Sequence, residues 1–140
     1  MNWVGWALLS AVFAGATAVL AKQGVAGVNS NLATAVRTTV ILVLVWGIAF
    51  ATVPVREMAQ MGRRTVLFLV LSGLATGLSW LCYFRALQLG EASRVAPLDK
   101  LSVIFVVVLS ALFLGERVTM DTAAGVALMV AGALVLAQTR

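Results

Sequence analysis

Histidine is missing from these 140 residues, cysteine occurs once and proline twice. With no imidazole and a single thiol, Cys82, the usual zinc, haem and disulfide chemistries have no ligand set. A lone thiol inside an apolar run reads as packing. No metal and no cofactor is therefore expected. Charge is scarce too: Asp, Glu, Lys and Arg make up 11% of the chain against 62% hydrophobic residues, and the mean hydropathy is +1.06. A soluble domain of this length needs a far more charged surface to stay dispersed. The surplus apolar area must face lipid, so the first expected partner is the bilayer itself. The net charge of +5 could suggest nucleic acid. However, the basic residues stand singly between apolar runs, without a basic stripe interleaved with aromatics, and no nucleic-acid partner is expected. At a membrane the same residues act as interface anchors and topology markers. Enzymatic chemistry is also unsupported, because no G-x-S-x-G and no convergent carboxylate pair accompany the missing histidine.

Five apolar segments are present, each near the roughly 20 residues a helix needs to cross the hydrocarbon. They run from Trp3 to Ala21, Leu32 to Val53, Thr65 to Gln88, Ala96 to Leu114 and Thr119 to Ala137. The separators are short and hold the breakers, among them Gly24, Asn29, Pro54, Gly90 and Gly115. Short connections make neighbouring helices antiparallel. The runs are too long for strands and lack their alternation. The expected fold class is an all-α integral membrane protein, with residues 1–140 forming one five-helix transmembrane domain. Ala16-Thr17-Ala18 resembles a signal cleavage site, but Met1-Asn2-Trp3 offers no basic region before it, so the first segment is expected to remain as a helix.

Antiparallel spans sort the charges onto two sides. One side has Arg56, Arg63, Arg64 and Arg117 as loop cations; the other has Lys22, Arg94 and Arg140. Adding Arg37, Arg85 and Lys100, slightly inside the helices of the second side, reverses the small difference. Orientation follows the Lys/Arg bias between sides, and here the bias is close to nil. Such a chain can insert both ways and pair antiparallel.

Among the embedded charges, Asp99 and Lys100 stand at the lip of the fourth span, just after Pro97. Neighbours on a helix are separated by about 100°, so the two are not expected to pair with each other. Asp99 is expected to face Arg85, Arg37 or a wet vestibule, and its charge would favour the start of a helix that opens at Ala96. Pro97 would then sit in the first turn, where its missing N–H costs little. The alternative role for the pair, a helix cap and an interface anchor, remains open. Thr76, Ser79 and Tyr83 recur at i, i+3 and i+7 on the third span, with Trp80 beside them, and are candidate walls of a cavity.

Small residues also recur at helical spacing: Ala11, Gly15 and Ala18 in the first span, Gly73 and Gly77 in the third, Gly125 and Gly132 in the fifth. In lipid they let helix backbones approach.

The stretch SGLATGLSWLCYFRALQLGEASRVAPLDKLS (Ser72–Ser102), followed by FLGERVT (Phe113–Thr119), resembles the EamA domain of the drug/metabolite transporter superfamily. Length and helix count agree over the whole chain with a single five-helix repeat, where typical members carry two repeats of opposite orientation. The resemblance implies a transporter in a bacterial-type inner or plasma membrane, with a central cavity formed by the first four helices of each repeat and peripheral fifth helices. It also implies that a half-size chain pairs antiparallel, here as a homodimer, to rebuild a ten-helix unit working by alternating access. Gly125, Leu128 and Gly132 of the peripheral helix are then the candidate dimer face. Related small multidrug transporters carry a glutamate in the first helix, whereas here that helix has only Lys22 at its end. The expected vestibule is mostly basic, with Lys22, Arg37, Arg85, Arg94 and Lys100 against Glu91 and Asp99. An anionic or zwitterionic solute suits that field better than a cation. Export of a small organic metabolite is the leading expectation. A non-transporting accessory subunit and a subunit of a lipid-linked sugar flippase are the alternatives.

Overall fold

The structure is a computed structural model that describes residues 2–138, with the side chains of all of these except residues 58 and 59. Arg140, counted above among the charges of one side, lies outside the described residues. The protein is all-α, and no strand occurs among the described residues. Its elements are α1 (Trp3–Gly24), α2 (Ser30–Thr52), α3 (Val55–Ala59), α4 (Arg63–Leu89), α5 (Ala92–Asp99), α6 (Ser102–Leu109), a π-helical turn (Ser110–Leu114) and α7 (Met120–Gln138). Five stretches are long and apolar enough to cross a membrane: α1, α2, α4, the run from Ala92 to Leu114, and α7.

Local chemistry explains the ends. Asn2 caps α1 by accepting the Gly5 N–H through Oδ1 at 3.0 Å, and Asn29 accepts the Asn31 N–H at the start of α2. Thr119 caps α7, its Oγ1 accepting the Thr122 N–H at 3.2 Å. Pro54 cannot continue α2 and serves as the cap of α3. Gly115 ends the fourth span with φ 68°, a left-handed conformation that suits glycine. That turn lets the Glu116 N–H reach back to the Ser110 carbonyl at 3.3 Å.

The fourth span departs from the uninterrupted helix expected between Ala96 and Leu114. Helix α5 begins four residues earlier, at Ala92 behind the cap residue Glu91, and stops at Asp99. Between α5 and α6 the backbone tightens into i to i+3 bonds: Lys100 N–H to Pro97 O, Leu101 to Leu98, Val103 to Lys100 and Ile104 to Leu101. Pro97 therefore lies inside a helix, where it withholds a hydrogen bond from the Ser93 carbonyl, and not in a first turn. Asp99 is the last residue of α5, so its carboxylate stands at the negative end of a helix dipole and not at the positive end.

The described chain divides into two compact units, one of residues 23–88 and one combining residues 2–22 with 89–138. In the second, α5 packs along α7. Among the described residues few apolar side chains are buried: Val25, Phe84 and Leu87 in the first unit, Ala18 and Ala133 in the second. Most large apolar side chains stay open, as they must when the solvent is lipid. The glycines do not mark close packing inside the chain. A Cβ built on Gly15, Gly73, Gly77, Gly125 or Gly132 would meet no neighbouring atom within 4 Å, so none of them marks a close backbone approach within this chain.

Candidate functional site: a ring-clamped arginine and a broken span

Ser30, Thr34 and Arg37 fall at i, i+4 and i+7 on α2, a polar line on an otherwise apolar helix. Ser30 and Thr34 are buried. Thr34 Oγ1 donates to the Ser30 carbonyl at 2.8 Å, and Thr38 Oγ1 donates to the Thr34 carbonyl at 2.8 Å. Both protons are committed to the helix's own backbone, a common way to keep hydroxyls in apolar surroundings.

Arg37 extends to α4. Its guanidinium carbon lies 4.5 Å from the centre of the Trp80 ring and 5.3 Å from that of Phe84. Trp80 and Phe84 are one helical turn apart and share a face. Each such contact is worth about 0.5–1 kcal/mol when exposed and about 2 kcal/mol when desolvated. Tyr83 sets its ring edge against Phe84 at 6.4 Å. The C-terminal end of α4 is tied down by Gln88, whose Nε2 donates to the Val28 carbonyl at 2.8 Å and whose Oε1 accepts from Arg85. Arg85 is thus engaged on its own helix. The rings take up the charge of Arg37 but not all its donors: Nη1 is buried with no hydrogen-bond partner among the described residues.

The other unit treats its charges differently. Lys22, in the last turn of α1, donates from Nζ to the Gly90 carbonyl at 2.7 Å. Arg94 pairs with Glu91 at 3.1 Å, one turn away. Asp99 and Lys100, expected to point apart, form an ion pair at 3.6 Å. The reason is the break: Lys100 is the first residue past α5, so the two side chains no longer diverge as on a continuous helix. This unit also holds an open apolar groove of about 530 Å³ between α6 and α7, lined by residues such as Ile104, Val108, Val126 and Leu134.

The remaining sequence candidates are now placed. Thr76 is exposed on α4, its hydroxyl donating to the Ser72 carbonyl at 2.9 Å, and Ser79 is exposed on the same helix. Leu128 on α7 is 75% exposed, and Gly125 and Gly132 are open beside it. Phe84 and Gln88 were missed by sequence reasoning. The signal for Phe84 was available, since it lies one turn beyond Trp80.

The EamA-like transporter family matches residues 1–138. An uncharacterized transporter in the cobO 3' region of Sinorhizobium sp is 56% identical over 136 residues, which span 97% of this chain and 96% of that protein. No solved structure matches the chain. Five apolar helices fit a half-size repeat of this family, whose members are transporters and not enzymes. On these grounds the chain belongs to the EamA-like transporter family and is a multi-pass cell-membrane transporter of the drug/metabolite transporter superfamily.

Proposed function

We propose that this chain is a secondary exporter of a small organic metabolite, anionic or zwitterionic, working by alternating access as an antiparallel homodimer. The observation that carries the reading is the interrupted fourth span. Secondary transporters place their sites at discontinuous helices, where irregular backbone lines a cavity instead of facing lipid. Here Pro97 and the tight turns up to Ile104 interrupt a membrane-crossing segment, and the Asp99–Lys100 pair stands at that interruption. A charge pair inside an unbroken, lipid-facing helix would be costly; at a wet break it is not.

The break gives alternating access a place to bend. The Asp99–Lys100 ion pair keeps both charges compensated at that bend. Within residues 23–88, Arg37 offers a cation to the solute's negative group, while Thr76, Ser79, Trp80 and Tyr83 supply walls on α4. The near-balanced Lys/Arg distribution supports insertion in both orientations, and the open face of Gly125, Leu128 and Gly132 supports pairing through α7.

Purified protein reconstituted alone into liposomes tests the reading. Labelled organic anions or amino acids should exchange across the bilayer by counterflow, and right-side-out vesicles should lose preloaded solute. Absence of any movement from folded, correctly inserted protein would leave an accessory subunit as the better description. In a Cys82→Ala background, single cysteines between α2 and α4 and between α4 and α5 should each be labelled from both membrane sides. Labelling of each from one side only would reject dual insertion and require the partner repeat to come from another chain.

A further inference from the structure

We infer that Arg37 is the carboxylate-binding residue of this transporter, held by the Trp80 and Phe84 rings with its buried Nη1 donor left for the solute's carboxylate. The inference rests on the transporter reading and names the chemistry of its ligand.

A guanidinium in a membrane span needs compensation for its charge and partners for five N–H donors. The rings supply the first in part, at 4.5 and 5.3 Å. They do not supply the second for Nη1, which is buried and unpartnered among the described residues. Leaving such a donor unsatisfied costs about 1–3 kcal/mol, and more for a charged group. A structural arginine would normally be given a carboxylate. Within residues 23–88 the one acidic residue is Glu57, beyond the far end of α2, and Arg37 lies roughly 22 Å from that end at the helical rise per residue. The nearby hydroxyls of Thr34 and Thr38 sit on the same helix and are bonded to its backbone. The arrangement is thus a ring-held cation whose Nη1 lacks an acceptor among the described residues, and a planar carboxylate fits a guanidinium fork well.

The same geometry limits the ligand. Among the described residues one cation, Arg37, lies over the face shared by Trp80 and Phe84, which matches a monoanion; a phosphate monoester, with about 1.5–2 negative charges, would need a second. Arg85 is directed elsewhere, to Gln88. The two rings favour an apolar body beside the carboxylate. The ligand class is therefore a small organic monocarboxylate with an apolar portion.

Four tryptophans occur in the chain, so replacing Trp3, Trp6 and Trp46 with Phe leaves Trp80 as a fluorescent reporter beside the site. Purified protein would be titrated with benzoate, phenylacetate, benzamide and phenyl phosphate. The two carboxylates should change Trp80 emission saturably, and the neutral isostere benzamide should not. Arg37→Gln should weaken carboxylate binding at least tenfold, with Arg37→Lys intermediate. Arg64→Gln should leave it unchanged, because Arg64 lies 5.8 Å over Phe68 on its own helix, at an exposed position. Size exclusion and circular dichroism establish folding, and if Arg37→Gln does not fold, Arg37→Lys must still weaken binding. No saturable change with either carboxylate, equal affinity for benzamide or phenyl phosphate, or full affinity in a folded Arg37 variant would overturn the inference. Carboxylate binding without solute movement in liposomes would instead preserve the site and defeat the transport reading. Transport of a neutral or cationic solute without carboxylate binding would do the reverse.

Discussion

The two units handle charge in opposite ways. In residues 89–138, cations meet anions that are close in sequence: Arg94 with Glu91 and Lys100 with Asp99. In residues 23–88, Arg37 meets aromatic rings far along the chain and keeps a vacant donor. A locally paired charge is already compensated, gains little from a ligand and tolerates change. A charge held by rings alone retains a strong demand for an anion. On the proposed reading, the comparison separates residues that shape the protein from Arg37, which reads the solute.

The largest expected effect tests that separation directly. Arg37→Gln should lower kcat/KM for a carboxylate solute at least about tenfold, as loss of a charged hydrogen bond does, while Arg64→Gln stays within about twofold. Counterflow rates in liposomes measure both, and equal losses would erase the distinction.

Next is the open face of α7. Gly132→Leu should reduce cross-linked dimer several-fold by blocking backbone approach, with no internal clash, since nothing lies within 4 Å of the position. An unchanged dimer yield would move the interface off this face.

The break in the fourth span should give a smaller change. Pro97→Ala restores an N–H for the Ser93 carbonyl, so Tm should rise while turnover falls about threefold as the hinge stiffens. Equal turnover in the variant would make the break a static feature.

Smallest is Asp99→Asn. The Asp99–Lys100 pair is partly exposed at 3.6 Å, so its loss should alter stability by less than about 1 kcal/mol and turnover by about twofold. A collapse of transport would give the second unit a charge as critical as Arg37.

Several features were readable from residue order because their causes are local. The ends of α2 and α7 fall within two residues of the expected Leu32–Val53 and Thr119–Ala137, since Asn29, Pro54 and Thr119 act on adjacent backbone. The fourth span was harder. Glu91 and Arg94 look like loop residues, yet they form the cap position and an i, i+3 pair on the first turn of α5. That shift by one turn moved Pro97 into the helix and Asp99 to its end, and so reversed the expected dipole and pairing. At the site, Trp80 stood out by its depth in an apolar segment, but its role depended on Arg37 lying across from it.

The sequence by itself determined the solvent, the five spans and the family resemblance. A bilayer imposes one requirement, about 20 consecutive apolar residues per crossing, and that requirement is met or failed within a single window of the chain. Tertiary structure alone decided that Arg37 rests on Trp80 and Phe84 with a donor to spare, and that Asp99 turns to Lys100. Those outcomes depend on helical phase and on which residues of distant segments come face to face. Composition carries no record of either, because a shift of one residue rotates a side chain by about 100° while leaving hydropathy unchanged.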